Sequence, residues 1–206
     1  MYTRREITHQ RMKALLKKHI QNRVAISNSE ADKFCDLFAQ RTVKKKSFLL
    51  RKDEICRFEG FVTKGLFRIY HLDHNGFEQI LYFAMEDWWL TDIDSFNNQT
   101  PSQLFIEALE DSEVLLISKE DKEYAYENIA GIEKLFRTMT QKTHTVLQRR
   151  MIDSMSKSAY ERYIDFIQTN PGIAQRLTNL QVAAYLGISH EFLSKIRRKI
   201  QQQGQT

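Results

Sequence analysis

Residues 178–200, TNLQVAAYLGISHEFLSKIRRKI, leave little freedom in how they fold. They read as two short helices joined by a tight turn. Leu180, Ala183, Ala184 and Leu186 form an apolar stripe on the first helix. Gly187 supplies the permissive backbone at its end. Ser189 is a good N-cap for the second helix, on which Phe192, Leu193 and Ile196 continue the stripe. The opposite face carries His190, Ser194, Lys195, Arg197 and Arg198. A helix-turn-helix needs this division: one face packs and the other meets a DNA groove. Its polar face opens with hydrogen-bonding residues at the helix N-terminus, where base edges are read.

Charge distribution agrees. The chain of 206 residues has a net charge of +5. Residues 1–24 hold seven Lys/Arg against one Glu, and residues 151–206 hold seven against four Asp/Glu. The middle is therefore acidic, and a basic C-terminal segment fits a nucleic-acid partner. No apolar run reaches the roughly 20 residues of a membrane span. The basic N-terminus lacks the hydrophobic core of a signal peptide, so a cytoplasmic protein with no membrane partner is expected. Cys35 and Cys56 stand apart and read as reduced thiols, and no cofactor is expected.

The texture changes along the chain. Residues 7–24 read as an amphipathic helix with Met12, Leu15, Leu16 and Ile20 on one side. Residues 29–40 read as a second helix, capped near Ser29, with Phe34, Leu37 and Phe38 inward. From Thr42 to about Ser118 come short β-type runs, among them FVTKGLFRIYHL, EQILYFA and VLLIS. Asn75-Gly76 between two such runs predicts a hairpin. This many strands in so short a span imply a β-roll or barrel. Helix signals resume at Lys119. A long helix over about 132–153 places Phe136, Met139, Thr143, Val146 and Arg150 at alternating spacings of three and four, flanked by Leu135 and Leu147. That coiled-coil-like seam predicts self-pairing. A further helix over about 157–169 has Tyr160, Tyr163, Ile164 and Ile167 inward and stops at Asn170-Pro171-Gly172.

The order of β-roll, long connecting helix and helix-turn-helix resembles the Crp/Fnr superfamily of bacterial transcription regulators. The resemblance runs from about residue 27 to 200 and rests on FVTKGLFRIYHLDHNGFEQILYFAMEDWW, EALEDSEVLLIS and LGISHEFLSKIRRK. It implies an α+β fold. A cyclic-nucleotide-binding-like jelly roll with flanking helices would span 1–131 and a dimerisation helix 132–154. A winged-helix-type DNA-binding domain would span 155–206. SHEFLSK looks like the family's recognition motif, with Glu191 at its base-reading glutamate, Lys195 at its last arginine and His190 where an arginine often sits. A lysine lacks arginine's bidentate fork, so the site preference should differ from that of well-known members.

The effector pocket departs from the family pattern. Cyclic-nucleotide-binding members use a Gly-Glu pair for the ribose and an arginine ten residues later for the phosphate. Counting back from Glu107-Ala108 places Thr91-Asp92 at the pair and Ser102 at the arginine, with Gln103 beside it. No Lys or Arg occurs from Met85 to Ser118, and Asp87, Asp92 and Asp94 would repel a phosphate. Trp88 and Trp89 adjoin this region and point to opposite faces if they lie in a strand, which makes one of them core. Cyclic AMP and cyclic GMP are not expected to bind. Another small-molecule effector, or none, stays open.

The expected function is a homodimeric, sequence-specific DNA-binding regulator acting on an inverted-repeat operator, and not an enzyme. His190, Glu191, Ser194 and Lys195 would touch base edges, with Ser189 capping their helix. Arg197, Arg198, Lys199 and Thr178 would touch phosphates. An activator would also need a surface for RNA polymerase, for which no residue stands out. The alternative is a ligand-binding or protein-interaction module whose helix-turn-helix no longer reads DNA. A metal-holding β-roll is disfavoured, since His71 and His74 have the odd spacing that puts them on opposite faces of a strand.

Overall fold

The computed structural model describes residues 4–203. Two helices, α1 (Arg4–Gln21) and α2 (Asn28–Asp36), precede strands β1 (Ala39–Val43), β2 (Phe48–Leu50), β3 (Glu59–Lys64), β4 (Leu66–Leu72), β5 (Glu78–Met85) and β6 (Trp89–Leu90). Helix α3 (Ile93–Asn98) interrupts the strand run before β7 (Phe105–Ala108) and β8 (Ser112–Ile117). Helices α4 (Lys119–Asn128), α5 (Ile132–Ser156), α6 (Ala159–Thr169), α7 (Pro171–Ala174), α8 (Asn179–Leu186) and α9 (His190–Gln203) complete the chain. The fold class is α+β, as the sequence implies.

The strands form two four-stranded sheets, ordered β1-β8-β3-β6 and β2-β7-β4-β5, which make the jelly roll. Strand β8 is the spine of the first sheet. It pairs antiparallel with β1 from Ala39↔Leu116 to Val43↔Ser112 and with β3 from Glu59↔Ile117 to Lys64↔Glu113. Non-consecutive neighbours of this kind are what a jelly roll requires. The described chain divides into two compact units. One contains the residues through Ile69 with Ala84–Lys142, and the other Tyr70–Phe83 with the chain from Thr143 onward.

In the first unit, α1 covers the β-roll. Met12, Leu16 and Ile20 recur at helical spacing and are fully buried against Phe34, Phe61, Leu115 and Ile117. Leu15 is only half-buried beside them. Lys13 and Lys17 reach across to Asp36 and Asp32 of α2, with N–O distances of 2.6 and 2.7 Å. Helix α2 is capped by Ser27 rather than Ser29, because Glu30 at the third helical position closes a capping box with the Ser27 hydroxyl and amide. Lys122 of α4 is buried, donates to Glu59 of β3 at 2.6 Å and lies over the Phe136 ring. Cys35 and Cys56 are both buried, and burial pushes the Cys35 thiol up to about 12.

Helix α1 is also fastened by His19, a buried imidazole among aromatic rings. The Trp89 indole donates to its Nε2 at 3.0 Å, and Nδ1 lies 2.7 Å from an Asp87 carboxylate oxygen. An indole N–H can only donate, so Nε2 accepts and the proton sits on Nδ1, donating to Asp87. His19 is thus held neutral. Burial pushes its pKa below the usual value; the Asp87 hydrogen bond partly opposes this, and the nearby Arg23 charge adds to it. A depressed folded-state pKa means that the unfolded chain takes up the proton first. The stabilisation is then complete above the unfolded value near 6.5 and is lost as pH falls below it. Thermal melting should therefore show the wild-type protein losing more stability than His19→Gln between about pH 7.5 and 5.5. Parallel pH dependence in the two proteins would refute this role for His19.

Candidate nucleic-acid interface and effector pocket

Helix α8 is opened by Thr178, whose hydroxyl accepts from the Gln181 amide while the Gln181 side chain returns to the Thr178 amide. It closes at Gly187 in the left-handed region, with φ 65° and the glycine amide bonded to the Ala183 carbonyl. The Ile188 amide bonds to the same carbonyl at 3.1 Å. Two residues later α9 begins, with the Ser189 hydroxyl accepting from the Phe192 amide at 3.1 Å. The packing face of α8 is Val182, Ala183 and Leu186, rather than the stripe expected through Leu180, which is exposed. On α9, Leu193 and Ile196 are buried and Ile200 is half-buried, while Phe192, expected inside, is exposed. Phe192 stands four residues before Ile196, at the border of the inward face, and stays exposed there. Tyr185 of α8 stacks against Phe166 of α6, with ring centroids 4.9 Å apart.

This packing leaves most of the candidate DNA-contacting side chains outward. His190, Glu191, Lys195, Arg197, Arg198 and Lys199 are exposed, as is Thr178. Glu191, Lys195 and Arg198 occupy one side of α9 at spacings of four and three. Backbone hydrogen bonding at its own amide, then the Ser189 hydroxyl, holds the Glu191 carboxyl below the usual range, so it is an acceptor. Ser194 is half-buried and donates to the His190 carbonyl at 3.0 Å, which leaves its oxygen only accepting capacity. Arg197 is bonded to Asn179 across the turn, and the Lys199 ammonium lies 5.5 Å from the Tyr160 ring centroid.

The expected seam along α5 is divided. Phe136 is buried in the core of the first unit, edge-on to Trp89 and Tyr126, and Met139 packs against the same core. Phe136 thus presents no free surface, and Met139 only part of one. Thr143 and Val146 are exposed. Arg150 is not free either. Its guanidinium donates to the carbonyls of Ile80, Leu81 and Tyr185 and lies 4.0 Å above the Tyr185 ring. Leu147, Met151 and Met155, at spacings of four, are instead exposed, with Val146 and Ile152 beside them. Val146 and Leu147 belong to the expected seam or flank it; Met151, Ile152 and Met155 fall outside it because its spacing runs from Phe136, which is claimed by the core.

Asp92 and Ser102, aligned with the nucleotide-binding positions, do come together. The Ser102 hydroxyl donates to an Asp92 carboxylate oxygen at 2.6 Å, and both residues are buried. The other Asp92 oxygen caps α3 through the amides of Asp94 and Ser95. Thr91 donates to the Phe58 carbonyl at 2.9 Å, and Gln103 and Trp88 are exposed. Trp89 faces the core, with its ring against Phe61 and Phe136, so it is not a pocket-lining residue. Trp88 lies just before β6 and is exposed, whereas Trp89 opens the strand and is turned into the core. A cation that sequence reasoning missed comes from β4: Arg68 donates Nε and a terminal nitrogen to Glu107 at 2.9 and 2.7 Å. Residues 85–118 hold no Lys or Arg, and the pairing of β4 with β7 brings this side chain beside Glu107 from outside that window.

Residues 40–128 match the family described as Cyclic nucleotide-binding domain. No curated protein matches the sequence. Among solved structures, FixK2 from Bradyrhizobium japonicum superposes with TM-score 0.71 at 21% identity, covering 81% of this chain and 86% of that one. A protein from Eubacterium rectale assigned to the transcriptional regulators of the Crp/Fnr family gives 0.68 at 20% identity, over 90% and 87%. The c-di-GMP responsive global regulator CLP from Xanthomonas campestris gives 0.66 at 14% identity, over 86% and 93%. The chain thus carries a cyclic nucleotide-binding-type jelly roll and has the fold of Crp/Fnr regulators. Among the described residues no helix is long and apolar enough to cross a membrane.

The Arg150 contacts yield a direct test. Arg150→Ala strands three carbonyls that the guanidinium now satisfies, and loss of one partner of a buried bond costs about 1–3 kcal/mol. Urea unfolding should show a destabilisation of about 2 kcal/mol or more. An unchanged midpoint would mean that these bonds do not hold in solution.

Proposed function

We propose that this chain is a homodimeric, sequence-specific DNA-binding transcription regulator of the Crp/Fnr type, acting in the cytoplasm without response to cyclic AMP. The observation that carries the reading is the outward face of α9. Glu191, Lys195 and Arg198 share one side of a helix whose other side is anchored by Leu193 and Ile196. A carboxylate acceptor and two cations in that order suit a groove: Glu191 takes a hydrogen from a cytosine amine, and Lys195 donates to a purine edge. His190 and Ser194 complete the base-facing set. Arg197, Arg198, Lys199 and Thr178 hold phosphates and set register without carrying sequence information.

Two-fold pairing supplies the second half-site. The exposed side chains of Leu147, Met151 and Met155, flanked by Val146 and Ile152, form the face of α5 best suited to meet a second copy. Thr143 lies one turn earlier on the same side. Two copies of α9 then enter successive major grooves about 34 Å apart, so the operator is an inverted repeat.

The nucleotide site supports independence from cyclic AMP. A phosphate there would need a cation, but Asp92 and Ser102 already satisfy each other, and Asp92 brings a negative charge. The cation supplied by β4 is already paired with Glu107.

Variants of the full chain separate the two kinds of contact. Glu191→Ala should lower affinity for the selected operator by about 1–3 kcal/mol and relax the base preference at one position. It should leave non-specific binding nearly intact. Arg198→Ala should weaken binding to all sequences and reduce the slope of log affinity against log salt by about 1. Equal losses on all sequences for Glu191→Ala, together with an unchanged salt slope for Arg198→Ala, would overturn the assignment.

A further inference from the structure

Phe192 is the residue of α9 that neither packing nor charge accounts for. It is 48% exposed, although it is among the largest apolar side chains of the helix. The inward face is complete without it, formed by Leu193, Ile196 and Ile200. Its backbone is fixed, because its amide is bonded to the Ser189 hydroxyl that caps the helix. The ring therefore stands at a defined place in the first turn, directly after His190 and Glu191 and in the same helical row as Lys195 and Lys199. A partner docking here must accept cations and also offer an apolar group. DNA meets both demands: its phosphates take the cations, and the C5-methyl group of thymine is the apolar feature of the major-groove edge.

We propose that Phe192 is a specificity-determining residue that reads a thymine C5-methyl group in each half-site. The inference rests on the DNA-binding reading above and adds an apolar contact to its polar set. Burying the methyl against the ring removes apolar surface of both from water. It favours thymine over cytosine or uracil at that position without any hydrogen bond. Glu191, one residue earlier, would read the neighbouring pair by accepting a hydrogen, so the two residues specify different bases by different physics.

The test uses the full-length protein and an operator recovered by selection from random duplex DNA. Each thymine of the half-site is replaced in turn by deoxyuridine, which keeps pairing and removes only the methyl. At one position the wild-type protein should bind about fourfold more weakly per half-site, the value expected for one buried methyl-sized group. Phe192→Ala should bind thymine and deoxyuridine there equally, and Phe192→Leu should retain part of the discrimination. Replacing that thymine by 5-methylcytosine should preserve more wild-type affinity than replacing it by cytosine. Equal wild-type affinity for thymine and deoxyuridine at every position would overturn the proposal, as would Phe192→Ala retaining full discrimination. Failure to recover any selected sequence would instead overturn the DNA-reading function itself, and the two failures are distinct because deoxyuridine is tested on the wild-type protein.

Discussion

The left-handed backbone at Gly187 is the constraint on which the outward face of α9 depends. A positive φ there ends α8, turns the chain, and lets α9 start three residues later under the Ser189 cap. A side chain at that position would meet the steric penalty that L-residues pay in the left-handed region. Because the turn is this short, the phase of α9 relative to α8 is fixed by few residues. Leu193 and Ile196 then determine which side faces inward. The cationic side is a consequence of that packing and needs no contact of its own to be held outward. Tyr185 carries the arrangement further, since its ring contacts Phe166 and Phe83 and its carbonyl takes a bond from Arg150.

A different kind of constraint shapes the β-roll. Its polar interior groups are matched in pairs: Arg68 with Glu107, Lys122 with Glu59, and Ser102 with Asp92. Buried charge is tolerable when it is compensated at hydrogen-bonding distance. The domain thus keeps the architecture of nucleotide binders while its side chains satisfy one another. His19 follows the same rule at the other edge, where a neutral imidazole links Trp89 to Asp87.

Local rules in the sequence located most elements. Helix α4 begins after Ser118, as its composition indicates, and the strand run from Thr42 to Ser118 closely matches β1 through β8. The hairpin at Asn75-Gly76 is present, but as a longer loop. Gly76, at φ 80°, bonds its amide to the Asp73 carbonyl, and the Asp73 carboxylate takes the amides of Asn75 and Phe77. The Asn-Gly signal marked the reversal, while the acceptor at Asp73 decided its length. What periodicity could not show was which neighbour each face meets. Phe136 and Arg150 fit a seam by spacing, yet one is claimed by an aromatic core and the other by carbonyls nearly 70 residues away in sequence. Phe192 fits an apolar stripe by type and spacing, yet stands exposed at the border of the packed face. For Phe136 and Arg150 a long-range contact overrode a local pattern.

The central claim is that this chain reads DNA as a pair without help from a cyclic nucleotide. The most direct measurement is binding of the purified full-length protein to fragmented genomic DNA from its own source, at about 150 mM salt where non-specific phosphate binding is suppressed. Bound fragments are sequenced with and without added cyclic AMP. Enrichment of one inverted-repeat motif in the absence of ligand, unchanged by cyclic AMP, is the predicted result. A motif that appears only when cyclic AMP is present, or retention with no motif under either condition, would contradict it.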